Sequence, residues 1–311
     1  MWRSRRGLRA AEGRTSLDLV YVTPRVLRLL SLLLALALIG CGAETSSEAA
    51  PDAAVSDSLR IVTLGGPVTE TVYALGLGDR VVGTDQSSLY PAEILEKPRL
   101  NYFRQTSAEG VLSLQPTLVL ALETSGPPGV IEQIRAAGVR VETVPEVSSV
   151  EEAEGRVQAI ARLVGREAQA AGVIETMRAE LAEATAAHPE TAPRALFVYA
   201  RGAGVMLVSG TGNAADAVLQ LAGAQNAVTA FEDFQPLTAE AVVTAAPDVI
   251  VIPARGLESI GGVDGLLAQP GVAQTPAGQN RRIVPVDDAL LLGFGPRIGQ
   301  GAKALADSLG G

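Results

Sequence analysis

The chain has 311 residues, of which 33 are Gly, 18 are Pro, 47% are hydrophobic and only 4% are aromatic. That is enough length and apolar content for one large core or two medium ones, which excludes a disordered protein. One Cys and one His exclude a disulfide framework and any zinc, copper or iron–sulfur site built from several His or Cys ligands; 25 Lys+Arg against 34 Asp+Glu, with no basic cluster, set the chain against nucleic-acid phosphate.

Within the run from Val26 to Cys41 a short apolar stretch lies behind Arg25 and Arg28. A bilayer takes about 20 apolar residues, so the stretch fits an export signal better than a span; the competing reading is a core helix that happens to end at a Cys. The ending Leu38-Ile39-Gly40-Cys41 resembles a bacterial lipobox, which implies cleavage before Cys41 and a diacylglycerol on its thiol. Residues 1–40 are thus expected to be a lipoprotein signal peptide, and 41–58, rich in Ser, Ala and Glu, a lipidated Cys and flexible tether. Removing residues 1–40 takes away 7 Arg and 2 acidic residues, leaving 18 basic against 32 acidic and a net charge of −14.

From Leu59 onward, β-branched runs alternate with Ala-rich helical stretches, which predicts α/β architecture with parallel strands and crossover helices. Strands are expected at residues 60–64, 80–83, 117–121 and 140–144, and helices at 68–75, 108–114 and 130–137, giving an N-terminal lobe over 59–148. Residues 149–190 carry Val157, Ile160, Val164, Ile174, Met177 and Leu181 at helical spacing and predict one long connecting helix or two nearly continuous ones. Pro189 and Pro193 end it. A second set of units then fills 191–311: strands at 195–199, 248–252 and 282–286, helices at 214–221 and 239–245.

The two lobes carry a repeat. Ser107-Ala108-Glu109-Gly110-Val111-Leu112-Ser113-Leu114-Gln115-Pro116 matches Thr238-Ala239-Glu240-Ala241-Val242-Val243-Thr244-Ala245-Ala246-Pro247 at constant offset. In each copy a hydroxyl residue can cap a helix, an acid sits in its first turn and a Pro marks the turn into a strand. Gly65-Gly66-Pro67 and Ser209-Gly210-Thr211-Gly212 are Gly-rich turns, each opening a helix toward a sheet edge. Neither is a dinucleotide fingerprint.

An acylated anchor, a tether and two Rossmann-like lobes joined by a long connecting α-helix resemble the substrate-binding lipoproteins of ABC importers, in the helical-hinge class that serves metals, cobalamin, siderophores and haem. Arg60 to Gly83, Asn101-Tyr102-Phe103-Arg104-Gln105-Thr106-Ser107-Ala108-Glu109-Gly110 and Leu292-Gly293-Phe294-Gly295-Pro296-Arg297 are similar to the haemin-binding (HmuT-type) branch. The resemblance covers nearly all of Leu59 to the C-terminus, and its most specific part is Tyr-x-Arg followed by Ser-Ala-Glu-Gly. It implies a ligand cleft between the lobes, haem as transported ligand, no catalytic cofactor, and as partners an ABC permease homodimer with its ATPase subunits and the membrane, through lipid on Cys41.

Residue by residue, the resemblance implies Tyr102 as axial ligand of the haem iron. A phenolate is one of the few side chains that holds ferric haem axially, and with a free pKa of about 10 it needs the iron and a nearby cation. Arg104 can hydrogen-bond that phenolate or fork onto a propionate. Gly65, Gly66, Ser209, Gly210, Phe294 and Arg297 are expected to support the haem, with core packing as the other reading of Phe294. Glu109 and Glu240 have two accounts, stabilisation by a helix dipole and docking on the permease. Asn101 stands where the family has mostly Gly, so the loop backbone is expected to differ slightly. A second-lobe His used by some members is missing: Arg201 stands there, and Tyr199 either faces the cleft or packs on the sheet. His188, beside Pro189, reads as a cap or a solvated side chain, and Asp85 and Asp216 as cap or turn residues.

A cobalamin or ferric-siderophore carrier of the same fold is the alternative. It would favour Trp in the cleft, and the only Trp is Trp2. No Ser/His/Asp order, P-loop or paired-acid motif points to an enzyme.

Overall fold

The structure, a computed structural model, describes residues 58–202 and 204–310. The expected signal segment, Cys41 and nearly all of the tether lie outside the described residues.

The N-terminal lobe is built from β1 (Ile61–Leu64), α1 (Gly66–Ala74), β2 (Val81–Thr84), α2 (Ala108–Ser113), β3 (Leu118–Leu122), α3 (Val130–Ala136) and β4 (Arg140–Val144). Its sheet runs β2-β1-β3-β4, all parallel. Every residue of β1 and β3 is buried, as expected where helices cover both faces of a parallel sheet, and this is why these strands read as continuous apolar runs rather than alternating ones.

Two helices lead out of this lobe, α4 (Val150–Val164) and α5 (Glu167–Ala186). Ser149 caps α4 by accepting from the Glu152 amide at 3.2 Å, while the Glu152 carboxylate accepts from the Ser148 amide at 3.1 Å. The chain breaks between the helices at Gly165, whose φ of 68° is left-handed. The connection is therefore two helices rather than one.

The C-terminal lobe comprises β5 (Arg194–Ala200), β6 (Met206–Ser209), α6 (Ala214–Leu221), β7 (Gln225–Asn226), β8 (Phe234–Pro236), α7 (Ala239–Ala245), β9 (Val249–Pro253), α8 (Ala254–Ser259), α9 (Gly262–Leu267), α10 (Pro276–Gln279), β10 (Ile283–Val286), α11 (Asp288–Leu291) and α12 (Ile298–Gly310). Its six-stranded sheet runs β10-β9-β5-β6-β8, with β7 beside β5. β10, β9, β5 and β7 are parallel, whereas β6 and β8 are antiparallel additions. The second lobe's Gly-rich turn thus follows an antiparallel strand, so its likeness to the turn after β1 extends to the sequence and the helix it opens, not to the strand before it.

The core falls into two clusters. One cluster joins the first lobe, α4, α5, α12 and one face of the second sheet through Phe197, Val249 and Val251, and a second fills the other face through Leu196, Val198, Ile250 and Ile252. The repeat is structural as well as sequential. Gln115 and Ala246 both take left-handed φ, 48° and 41°. The Arg60 guanidinium donates to the carbonyl of Leu114 at 2.7 Å, and the Arg194 guanidinium to that of the equivalent Ala245 at 2.9 Å. Each arginine's amide also donates to the residue after the turn, Thr117 or Asp248, at 2.9 Å.

Candidate functional site

A cleft of about 810 Å³ lies between the lobes. Gly66, Pro67, Tyr102 and Arg104 face it from the first lobe, Arg156 from α4, and Tyr199, Arg201, Asn213, Arg255 and Leu292 from the second. Four arginines meet only Glu146 and Asp233 among the acidic residues of its lining, although the chain as a whole is acidic. This surface favours an anionic ligand with apolar area.

Tyr102 stands at the head of a one-turn 3-10 helix, Phe103–Gln105, that the Gln105 amide closes onto the Tyr102 carbonyl at 2.7 Å. Asp85 fixes this turn from below. Its fully buried carboxylate accepts from the amides of Gly65 at 2.8 Å, Ser87 at 2.8 Å and Phe103 at 3.2 Å, and from the hydroxyls of Ser87 and Ser88. One carboxylate thereby ties the end of β1 to the turn that carries Tyr102. Asp85 is more than the turn residue its sequence context suggests, since the contact to Phe103 spans two loops.

Tyr102 is half-buried, and burial pushes its phenol above the ordinary value; Arg104 pulls it down, while Tyr199 and Asp85 push it further up. The phenol is therefore neutral at ordinary pH, and a metal binding it as phenolate must displace its proton. Arg104 is exposed and donates to Glu146 Oε1 at 2.6 Å, an oxygen that also accepts from the Thr124 hydroxyl at 2.9 Å. Its guanidinium carbon lies 5.1 Å from the centre of the Phe103 ring.

On the opposite wall Tyr199 packs edge-on against Phe234, ring centres 6.4 Å apart. It does both things the sequence left open, packing on the sheet and lining the cleft. Tyr199-Ala200-Arg201 repeats the Tyr-x-Arg spacing of Tyr102-Phe103-Arg104, a signal readable in the sequence. Arg255, at the start of α8, and Arg156, in the middle of α4, carry no such signal.

Of the residues expected to support a ligand, Gly66 lines the cleft, as do Tyr102 and Arg104; Gly65, Ser209, Gly210, Phe294 and Arg297 do not. Gly65 shapes the wall instead: its φ is 112°, and a Cβ there would meet the Leu122 side chain at 2.6 Å. Ser209 is buried and its hydroxyl donates to the Gly210 carbonyl at 2.9 Å, while Gly210 packs against Phe231. The turn's next residues, Gly212 and Asn213, reach the cleft. Phe294 is 1% exposed, a core residue. Arg297 turns away from the cleft because a closer partner holds it: its guanidinium donates to Glu70 at 2.6 and 3.1 Å and lies 3.6 Å from the centre of the Tyr90 ring.

His188 is half-buried and caps the end of the neighbouring helix α6 rather than that of the connecting helix. Its Nε2 pairs with the Leu221 carbonyl at 2.9 Å, and its ring packs over Gly223. Among the described residues no group of three or more His, Cys, Asp or Glu side chains is arranged to hold a metal ion. Glu109 and Glu240 are both exposed, in the first turns of α2 and α7. Ser107 and Thr238 cap those helices, accepting from the amides of Gly110 and Ala241 at 3.1 and 3.2 Å.

Comparison with known proteins places residues 61–290 in a match to the periplasmic binding protein family model. Among solved structures, the periplasmic heme-binding protein RhuT of Roseiflexus sp. RS-1 is 42% identical with a TM-score of 0.79, over 81% of this chain and 98% of that one. Among curated relatives, the ABC transporter substrate-binding lipoprotein YvrC of Bacillus subtilis is 29% identical over 80% of this chain and 79% of its own. A cobalamin-binding protein of Halobacterium salinarum is 30% identical, over 63% of this chain and 54% of its own.

Proposed function

The chain belongs to the periplasmic binding protein family, and from that premise we propose that it captures haem outside the cytoplasm and delivers it to an ABC importer. The observation that carries this reading is the pair of Tyr-x-Arg segments facing one cleft, Tyr102 with Arg104 and Tyr199 with Arg201. A phenol oxygen suits ferric iron, arginine forks suit carboxylates, and Gly66, Pro67 and Leu292 add apolar lining for a porphyrin. Tyr102 is the ligand on this reading, with Arg104 beside its oxygen. The role is binding and transfer, with no bond made or broken in the cargo.

Glu109 and Glu240 are the contacts to the two subunits of a permease homodimer, served by its ATPase subunits. Their support is equivalent placement: same helix position, same kind of cap, same arginine clamp behind the helix. Residues 1–40 direct export, and Cys41 carries the lipid that holds the protein at the outer side of the cell membrane. Labelling with a radioactive fatty acid tests the anchor: label is expected on the natural protein and absent from Cys41→Ser, and label on that variant would move the acceptor elsewhere.

Cobalamin is the second reading, favoured by the Halobacterium relative. Titrating residues 42–311 with haemin and with cyanocobalamin separates the two: saturable binding of haemin alone is expected, and binding of cyanocobalamin alone would overturn the haem reading.

A further inference from the structure

Arg156 is 3% exposed, yet it forms part of the cleft wall. Its Nη2 donates to the carbonyls of Gly293 at 2.8 Å and Phe294 at 2.6 Å, and its Nε is buried with no hydrogen-bond partner. Three arginines are each paired with a carboxylate, Arg104 with Glu146, Arg178 with Glu154 and Arg297 with Glu70. Among the described residues Arg156 shares the lack of such a pair with Arg201 and Arg255 of the cleft lining, and differs from both, which are exposed, in being almost fully buried. No carboxylate of the described residues lies within ion-pair distance of Arg156. Glu70 and Glu146 act on it only from further away, and burial lowers its pKa to about 10.

A buried cation satisfied only by carbonyls is costly, because desolvation is not offset by a contact charge. Two carbonyl contacts alone could be made by a smaller, uncharged donor. The position is also particular: Arg156 belongs to α4, touches the segment ahead of α12, and faces the ligand space between the lobes. An anion arriving in the cleft would supply the missing charge.

We infer that Arg156 recognises a carboxylate of the bound ligand from the wall of the cleft, a propionate where the ligand is haem, the latter part resting on the function proposed above. Held by Gly293 and Phe294, the guanidinium is already oriented, so the ligand's carboxylate meets a preorganised donor rather than a free side chain. One residue then links the occupied cleft to the connecting helix and to the second lobe.

The test compares haemin with haemin dimethyl ester, whose carboxylates are capped, on the natural protein, Arg156→Met and Arg156→Lys. The natural protein is expected to prefer the diacid. In Arg156→Met, haemin affinity should fall about tenfold or more while ester affinity changes less than about threefold, and Arg156→Lys should recover part of the preference. The ratio within one variant cancels any general loosening of the cleft, and if the methionine variant does not fold, the lysine variant carries the comparison. Equal losses for both ligands would overturn the assignment and leave Arg156 a strut for the 293–294 carbonyls. Failure of the natural protein to bind either ligand would instead overturn the haem reading, and the propionate with it.

Discussion

Tyr102 and Tyr199 line one cleft from opposite lobes, each followed two residues on by an arginine that lines it too. They are near enough that Tyr199 adds to the upward shift that burial imposes on the Tyr102 phenol. A protonated Tyr102 must lose its proton to bind iron, so haem affinity should rise about tenfold per pH unit below the phenol's pKa, once the ionisation of ferric haem itself is subtracted. Calorimetry in buffers of different ionisation heat should show about one proton released per Tyr102 bond. An affinity independent of pH would contradict phenolate ligation.

Arg104→Ala should weaken haem binding without unfolding the protein, because the side chain is exposed and pairs with Glu146, itself exposed. A hydrogen bond to a charged group contributes roughly 1.5–3 kcal/mol, which is about tenfold or more in affinity. Equal affinities by calorimetry would remove Arg104 from both the phenolate and a propionate.

Glu70 and Arg297 join α1 to the segment ahead of α12 across the two lobes, with side chains only 7% and 16% exposed. Replacing one partner leaves the other charge buried, so Glu70→Leu should lower unfolding free energy by about 3–5 kcal/mol in urea melts. Burial raises the Glu70 pKa more than Arg297 lowers it, so protonation of this carboxyl is favoured by folding. Its own titration therefore adds stability on the acid side, lost as pH rises through its folded pKa, and Glu70→Gln should flatten that part of the pH–stability curve. An unchanged curve in Glu70→Gln would contradict the direction of the shift.

Glu109→Ala and Glu240→Ala should each leave haem titration and stability nearly unchanged, since both carboxylates are exposed. Uptake into vesicles carrying the importer should fall in either variant and further in the double one, as each lobe loses one charge-assisted contact. Normal uptake by the double variant would leave these residues only their helix-dipole role.

Much of this fold is legible from the residues because the central strands β1, β3 and β9 are buried on both faces and read as short apolar runs bounded by turns. The short helices α8, α9 and α10 are not, since four to six residues hold too little periodicity, and Gly299 and Gly301 obscure the start of α12. At the site, Tyr102 and Arg104 sit in one contiguous motif and could be named. Arg156 and Arg255 could not, because their role comes from where α4 and β9 end up in space. Arg297 misled for the same reason: its partner Glu70 lies far away in the chain, and only the packed structure brings them together.

The most direct measurement is the absorption spectrum of residues 42–311 titrated with haemin, beside the same titration of Tyr102→Phe. The natural protein should give a high-spin ferric spectrum with a tyrosinate charge-transfer band, and Tyr102→Phe should lose that band. An unchanged band in Tyr102→Phe would contradict the account and pass the ligand's role to Tyr199.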